Sequence, residues 1–266
     1  MKTPQVEIDI QSIYRKVKDG PRVALPVRMA KPTPDTRDAI LAIREEVRAR
    51  GRDLVLSDLF RTHDMQFQAA LDFESEKKQA FSPRPVGSMH EAGRAFDLSL
   101  AELKLNSKKD PFSLKDFWDI AAKQGVFPII NKPDSSFSEA WHFDCPGSHK
   151  VVRDYYATFK GFGFAPYKIM AISGVLALGL PVDEFEERQK EATLQCGLIR
   201  LGCELGSVDG FIGKKTRAAL EKVGLTLTTL DETLQAVEDL LQVTFPNEYQ
   251  VFTSPVEENK PEHLKA

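Results

Sequence analysis

The chain has 266 residues, which at about 150 residues per domain suggests two domains or one large domain with appendages. Hydrophobic residues make up 42% of the sequence, charged residues 28% and aromatic residues 9%, a globular composition that excludes disordered, collagen-like and coiled-coil chains. The formal net charge of −3 gives no electrostatic reason to expect nucleic acid or an anionic membrane surface as a partner. Three cysteines, Cys145, Cys196 and Cys203, are too few and too scattered for a disulfide framework.

The pattern of residues 1–168 mixes helices and strands. Residues 1–35 predict an irregular segment with one short strand, because four prolines interrupt it. Apolar residues at helical spacing then predict a helix from Asp35 to a stop at Gly51. The further predictions, in chain order, are a strand in 53–60, a helix in 61–73, a strand in 93–100, a helix in 114–126 and a strand end in 138–144. This mixture indicates an α+β fold with a small antiparallel sheet.

The C-terminal third has a different sequence pattern, which is helical up to a polar tail. The most apolar stretch, 169–180, has 12 residues, whereas a membrane-spanning helix needs about 20, so we expect a buried linker helix and no membrane span. Helical patterns at 184–201, 213–223 and 231–243 then predict a three-helix unit. The predicted division is a first domain at 1–168 with its core at about 35–160, a linker at 169–183, a helical module at 184–245 and a polar tail at 246–266.

Two of the five histidines have carboxylates at suggestive spacing. His90 precedes Asp97 by seven residues, and Glu139 precedes His142 by three. Two imidazoles and one carboxylate form a three-ligand set suited to catalytic zinc, with the fourth position left to water, and Glu139 remains free to act as a base. On spacing alone, ordinary exposed or hydrogen-bonded side chains remain an alternative, because this is not the better-specified HExxH pattern.

The same residues lie in two longer motifs. SMHEAGRAFD fits S-x-H-x-x-G-x-A-x-D and EAWH fits E-x-W-H, about forty residues apart and in that order. These motifs resemble the two signatures of the zinc D-alanyl-D-alanine carboxypeptidases and D,D-dipeptidases, a family that also contains the L-alanyl-D-glutamate endopeptidases of phage lysins. The resemblance implies that His90, Asp97 and His142 bind zinc and that Glu139 is the catalytic base.

The resembling family also has an upstream arginine in a serine-glycine-aromatic-arginine motif ahead of a helix. Here Phe60 and Arg61 stand at the matching places, whereas Asp58 replaces the serine and Leu59 the glycine. The resemblance implies that Arg61 stabilises a developing oxyanion, a role that suits a permanently charged guanidinium. The alternative is a solvated arginine at a helix start.

Other residues near the motifs are weaker candidates. Ser88 and Gln66 are candidate substrate-binding residues, and Ser88 could instead cap the turn that leads to the first histidine ligand. We expect Trp141 to be a core aromatic residue. Asp144 or His149 could hold a ligand ring by a hydrogen bond.

The segment 194–220 carries a third motif. It resembles the three-helix peptidoglycan-binding module, whose pattern is L-Q-x-x-L-x-x-L-G, a glycine-rich turn and D-G-x-x-G-x-x-T-x-x-A-L. Most matched positions are core or turn positions, so the module could bind glycan or only pack. Cys196 and Cys203 are too far apart for a disulfide on one straight helix and could pair only if the helix ends near Leu201.

Together, the resemblances imply a monomeric zinc peptidase that hydrolyses peptidoglycan stem peptides in the periplasm or cell wall and is held there by its C-terminal module. The bond could be of the D-Ala-D-Ala carboxypeptidase or the L-Ala-D-Glu endopeptidase type. A non-catalytic peptidoglycan-binding protein with a structural metal and a zinc amidase on the same polymer remain alternatives. The sequence begins without a signal peptide, which leaves a missing leader, phage lysis or injection as possible export routes.

Overall fold

A computed structural model describes residues 2–107, 109–159 and 161–251. The strands within these residues are β1 (Gln11–Arg15), β2 (Arg22–Ala24), β3 (Leu56–Asp58), β4 (Ala95–Leu98), β5 (Phe127–Pro128) and β6 (His142–Asp144). The α-helices are α1 (Pro34–Arg48), α2 (His63–Glu74), α3 (Leu114–Lys123), α4 (His149–Thr158), α5 (Pro166–Ala177), α6 (Gln189–Arg200), α7 (Lys214–Lys222) and α8 (Leu230–Thr244). Two short 3₁₀ helices, Asp183–Arg188 and Pro246–Glu248, complete an α+β architecture.

The strands form one sheet in the order β2-β1-β3-β4-β6-β5. Every neighbouring pair is antiparallel except β1 and β3, which run parallel with Ser12 opposite Leu56. The prediction of an antiparallel sheet is therefore wrong at this one pair. Strand β1 was itself not predicted, because it has only one buried residue and lacks the alternation by which a strand is recognised.

The first hydrophobic core lies between this sheet and helices α1 and α3. In α1, Ile40, Ile43 and Val47 are fully buried on one face, and Pro34 begins the helix at a position where its missing N–H costs nothing. In the centre of the core, the Phe96 and Phe143 rings stack with centroids 5.8 Å apart, so β4 and β6 are held firmly side by side.

The second core joins the predicted linker to the helices on both sides of it. Residues 169–176 of α5 are all buried, and the same apolar cluster contains Val152 of α4 and Leu198 of α6. The predicted buried helix is therefore present, and it packs in the same apolar cluster as α4 and α6. The division into domains stays a prediction. Across the described residues, no helix has the length and apolarity needed to cross a membrane.

Two details of the C-terminal half depart from what the sequence favours. Helix α4 was not predicted, because only Val152 and Tyr156 mark its apolar face besides its first residue. The predicted polar tail begins with a packed 3₁₀ helix in which Glu248 is buried, while residues 252–266 lie outside the described part. Helix α6 ends at Arg200, yet Cys196 and Cys203 are both free thiols.

Candidate active site

The pairing of β4 with β6 brings two of the candidate ligands together. Asp97 and His142 are direct partners in the antiparallel register, although 45 residues separate them in sequence. Directly opposed residues on one face of a sheet have side chains within contact distance. The Nδ1 atom of His142 lies 2.9 Å from Oδ1 of Asp97, and both side chains are buried.

A tight turn before β4 adds the third candidate ligand. Gly93 has a φ of +65°, and its N–H donates to the carbonyl of His90 at 3.0 Å. A Cβ at this position would lie 2.8 Å from the carbonyl oxygen of Lys31, so only glycine fits without a backbone shift. The turn returns the chain so that Nε2 of His90 lies 3.3 Å from Oδ1 of Asp97.

Hydrogen bonds define which nitrogen of His90 is free. Nδ1 donates to the carbonyl of Leu59 at 2.5 Å, which leaves Nε2 as the unprotonated acceptor. The ring is only 1% exposed, and Nε2 has no hydrogen-bond partner within the described residues. A buried acceptor without a donor is unfavourable unless a cation or a proton approaches it.

In His142, as in His90, one ring nitrogen bonds to an orienting oxygen and the other faces Asp97, but the roles of Nδ1 and Nε2 are reversed. Nε2 donates to Oδ1 of Asp144 at 3.0 Å, so Nδ1 is the nitrogen that faces Asp97. Burial lowers the pKa of His142, but the carboxylates of Asp144 and Asp97 outweigh burial and raise it to about 10. Burial acts to raise the pKa of Asp97, and the two histidines nevertheless hold it well below its ordinary value. The negative charge of Asp97 and a positive charge on His142 therefore stabilise each other.

The donor set fits a divalent metal ion. One atom from each of His90, Asp97 and His142 lies within 4.8 Å of the others, and the three side chains are buried. Zinc favours nitrogen and carboxylate oxygen ligands, and three protein ligands leave a position for water or substrate. The carbonyl of Leu59 and the carboxylate of Asp144 hold the two rings in orientation, as partners of ligating histidines usually do.

Arg61 lies against the same cluster, with its side chain fixed on three sides. Nε donates to Asp58 at 2.6 Å, Nη1 to Gln66 at 3.1 Å and Nη2 to Asp97 at 3.3 Å. Burial lowers the pKa of Arg61, but Asp58 and Asp97 together raise it above its ordinary value. Gln66 also donates to the carbonyl of Pro83 at 2.6 Å, so it joins Arg61 to the loop after α2.

Glu139 begins a tight turn into β6. Its φ is +67°, a left-handed conformation that costs a non-glycine residue about 1 kcal/mol or more, and its carbonyl accepts from the N–H of His142 at 3.0 Å. Burial raises the pKa of the Glu139 carboxyl. Glu139 and His142 line one cavity.

A cavity of about 390 Å³ opens onto the cluster. Its wall contains all three candidate metal ligands together with Arg61 and Glu139. Further wall residues are Lys78, Ala80, Phe81, Pro83, Gly87, Ser88, Met89, Ile129, Trp141, Asp144, Tyr167 and Met170. This volume suits a small ligand or a short peptide segment.

The other candidates take different positions around this cavity. Ser88 lines it, and its Oγ also accepts from the N–H of His90 at 3.3 Å. Trp141 is partly exposed in the wall, so the expectation of a core aromatic is wrong. Gln66 is fully buried behind Arg61 and does not line the cavity.

Of the two side chains expected to hold a ligand ring, only one is in place. Asp144 contacts His142, whereas His149 is buried elsewhere with Nδ1 2.8 Å from Oγ of Ser173. Sequence reasoning missed Asp58 as the partner of Arg61, although its place directly before the matching aromatic-arginine pair was a usable signal.

No protein-family model matches the sequence, and comparison with curated proteins found no significant match. Among solved structures, the chain is similar to the LdcB LD-carboxypeptidase, whose structure is described as revealing the molecular basis of peptidoglycan recognition. The two chains are 18% identical, the match covers 53% of this chain and 67% of that one, and the TM-score is 0.38. At this identity and TM-score the likeness assigns no function.

Proposed function

We propose that the chain is a zinc-dependent peptidase that hydrolyses stem peptides of peptidoglycan, of the D-Ala-D-Ala carboxypeptidase or L-Ala-D-Glu endopeptidase type. The observation that carries this proposal is one cavity whose wall contains His90, Asp97, His142, Glu139 and Arg61. The two sequence motifs predicted the first four of these residues, and the upstream aromatic-arginine match predicted Arg61. The substrate class is taken from the resemblance of the motifs, and the site of action would be the periplasm or cell wall.

The metal would be held by Nε2 of His90, the carboxylate of Asp97 and Nδ1 of His142, because these atoms face one another: the two nitrogens lie 3.3 and 2.9 Å from Oδ1 of Asp97. When bound, zinc lowers the pKa of a water ligand to about 7 and polarises a carbonyl group. Asp144 and the carbonyl of Leu59 keep the two imidazoles in the required tautomers.

Glu139 would act as general base and then as general acid. Its carboxyl accepts the proton of the attacking water and delivers it to the amine of the departing residue. Burial raises its pKa, which brings it closer to the value at which one group can serve both steps near neutral pH. The strained turn at Glu139 is consistent with this role, since strained backbone is often found where a side chain must be aimed.

Arg61 would stabilise the negative charge that develops on the carbonyl oxygen. Its guanidinium is held by Asp58, Gln66 and Asp97, so it is organised before substrate arrives and loses little conformational freedom. Because Gln66 lies behind Arg61, we propose that it positions the arginine and does not touch substrate. Ser88 would remain a substrate-binding candidate at the cavity wall.

Helices α6 to α8 would hold the enzyme on its polymer. The motif glutamine, Gln195, accepts at Oε1 from the N–H groups of Asp209 and Gly210 at 3.0 and 2.8 Å. Its amide also donates to the Asp209 carboxylate at 2.9 Å, so these three motif residues build the turn between helices. Tethering would raise the local concentration of scissile bonds without new catalytic contacts.

The direct test is incubation of the zinc-loaded full chain with muropeptides, with masses of the products as the readout. Loss of D-alanine, or a cut between alanine and glutamate, identifies the two proposed types of peptidase. A cut between sugar and peptide would indicate an amidase, and no product with retained polymer binding would indicate a non-catalytic binder. Glu139→Ala should abolish the products, whereas the exposed control Glu204→Gln should leave them unchanged.

A further inference from the structure

The cavity wall contains a second cation, Lys78, that the proposed mechanism does not use. Its side chain is half-buried, and its ammonium group makes no hydrogen bond or ion pair with any residue that the structure describes. Arg61, the other cation of the wall, is committed to three partners. Lys78 is therefore the cation of this wall that is free to receive an anion.

The position of Lys78 is set by its backbone. After α2 the chain reverses at Glu76, which has a φ of +59° and donates its N–H to the carbonyl of Phe73 at 3.0 Å. Two residues later the N–H of Lys78 donates to the carbonyl of Asp72 at 3.0 Å. These bonds close the C-terminus of α2 and direct the following segment along the cavity, so no charged partner is needed to place the lysine.

Lys78 and the proposed proton donor, Glu139, line the same cavity. The positive charge of Lys78 acts to lower the pKa of the Glu139 carboxyl, against the larger opposing effect of burial. Much of the surrounding wall is apolar, including Phe81, Ile129 and Met170. In such surroundings an anion would gain more from an ammonium group than it would in bulk water.

We infer that Lys78 binds an α-carboxylate carried by the residue that departs with the new amine, a specificity that rests on the proposed function. Glu139 protonates that amine, and an α-carboxylate is only two bonds away from it. Both proposed substrate types share this chemistry. A departing D-alanine carries its C-terminal carboxylate, and a departing D-glutamate linked onward through its γ-carboxyl has a free α-carboxylate.

The test uses four synthetic stem peptides with the zinc-loaded full chain. One pair ends in D-Ala-D-Ala, the other contains L-Ala-γ-D-Glu, and each pair differs only in whether the relevant α-carboxylate is free or converted to a carboxamide. In the pair that is cleaved, the wild type should prefer the free carboxylate in kcat/KM by about 10- to 100-fold, as expected for a charge-assisted contact. Which pair shows the preference identifies the source of the carboxylate.

The variants assign that preference to one side chain. Lys78→Gln should hydrolyse the two members of the pair with equal kcat/KM, and Lys78→Arg should recover part of the preference. The adjacent exposed lysine supplies the matched control, since Lys77→Gln should keep the full preference. Thermal unfolding of all three variants should match that of the wild type, because the Lys78 ammonium group has no partner to lose.

Three results would overturn the inference, and the last is distinguishable from the first two. If the wild type cleaves a free carboxylate and its carboxamide equally well, or if Lys78→Gln keeps the preference, the assignment to Lys78 is wrong while the proposed function stands. If the zinc-loaded wild type cleaves none of the four peptides, both the proposed function and this inference fail.

Discussion

The molecule has two buried clusters of charged side chains, and they balance their charges differently. The first consists of His90, Asp97, His142 and Arg61 at the cavity, and we call it the cavity cluster. The second consists of Asp35, Arg94, Arg200 and Glu248 behind β4 and α6, and we call it the closed cluster. In both clusters, removing charged groups from water costs free energy. Only in the closed cluster does every charged side chain have an oppositely charged partner.

In the closed cluster every charge meets an opposite one. Arg94 lies 2.7 Å from Asp35 and 3.2 Å from Glu248, and Arg200 lies 2.7 Å from Glu248. The N–H of Ser148 donates to the same glutamate at 2.6 Å. With two cations and two anions, this cluster needs no ligand, which marks it as part of the framework.

In the cavity cluster, by contrast, Nε2 of His90 faces Asp97 as an unprotonated acceptor and has no hydrogen-bond partner among the described residues. Such a group is complete only when a cation or a proton is present. Buried charge alone therefore does not mark a functional site. A buried acceptor without a donor beside a cavity, such as Nε2 of His90, does indicate one.

The largest stability effect is expected from Glu248→Ala in the closed cluster. It leaves Arg200 with no carboxylate partner and Arg94 with only Asp35, so we expect the free energy of unfolding to fall by about 3–5 kcal/mol in urea titrations. Zinc content of the folded fraction should stay the same, because Glu248 contacts none of the three metal-ligand candidates. Loss of zinc at unchanged stability would show that the two clusters are not separate.

Arg61→Lys tests the cavity cluster next. Lysine keeps the positive charge but lacks the planar guanidinium that donates hydrogen bonds to Asp58, Gln66 and Asp97. We expect kcat to fall by about 10²- to 10³-fold, the usual cost of removing one donor to an oxyanion, with zinc content unchanged. A kcat within twofold of the wild type would remove Arg61 from the mechanism.

A smaller effect is expected from Asp144→Asn, which weakens the hydrogen bond that orients His142. Loss of such a partner typically lowers metal affinity by about 10- to 100-fold, measurable by competition with a chelator. His149→Gln is the control, because His149 is bonded to Ser173 away from the cavity. Equal zinc affinity in the wild type and Asp144→Asn would show that the ring is oriented by other contacts.

The smallest effect concerns a partly exposed charge cluster at the surface, formed by Arg44, Arg48 and Asp53. Arg44 and Arg48 bond to Asp53 and lower its pKa to about 2, against a smaller opposing effect of burial. A lowered pKa stabilises the folded state above the ordinary value of 3.8, and this contribution is lost as the pH falls through 2. Asp53→Asn should therefore cost about 1 kcal/mol or less at pH 7 and progressively less below pH 4, in unfolding measurements across pH. A constant cost across this range would mean that Asp53 acts by packing.

Much of the helical framework could be predicted from the sequence, because periodic apolar residues specify an element locally. The strand that carries Asp97 and the segment that carries His142 were both anticipated for the same reason. Strand β1 and helix α4 were not, since their stability comes from tertiary contacts and not from a pattern of their own.

Contacts between segments far apart in the sequence could not be predicted from it. Nothing local predicts that Glu248 contacts Arg94, or that Lys78 and Glu139 line the same cavity, because both depend on how the helices and strands pack together. The motif match led to the candidate ligands, but only the structure shows that Gln66 lies behind Arg61.

The most direct test of the central claim compares zinc content and muropeptide hydrolysis in the same preparations of wild type, Glu139→Ala and His142→Ala. We expect one zinc ion per chain and product release for the wild type. Glu139→Ala should bind zinc without releasing product, and His142→Ala should do neither. Wild-type turnover by Glu139→Ala, or undiminished hydrolysis by the wild type after its zinc has been removed, would show that the chain is not a zinc peptidase with Glu139 as its base.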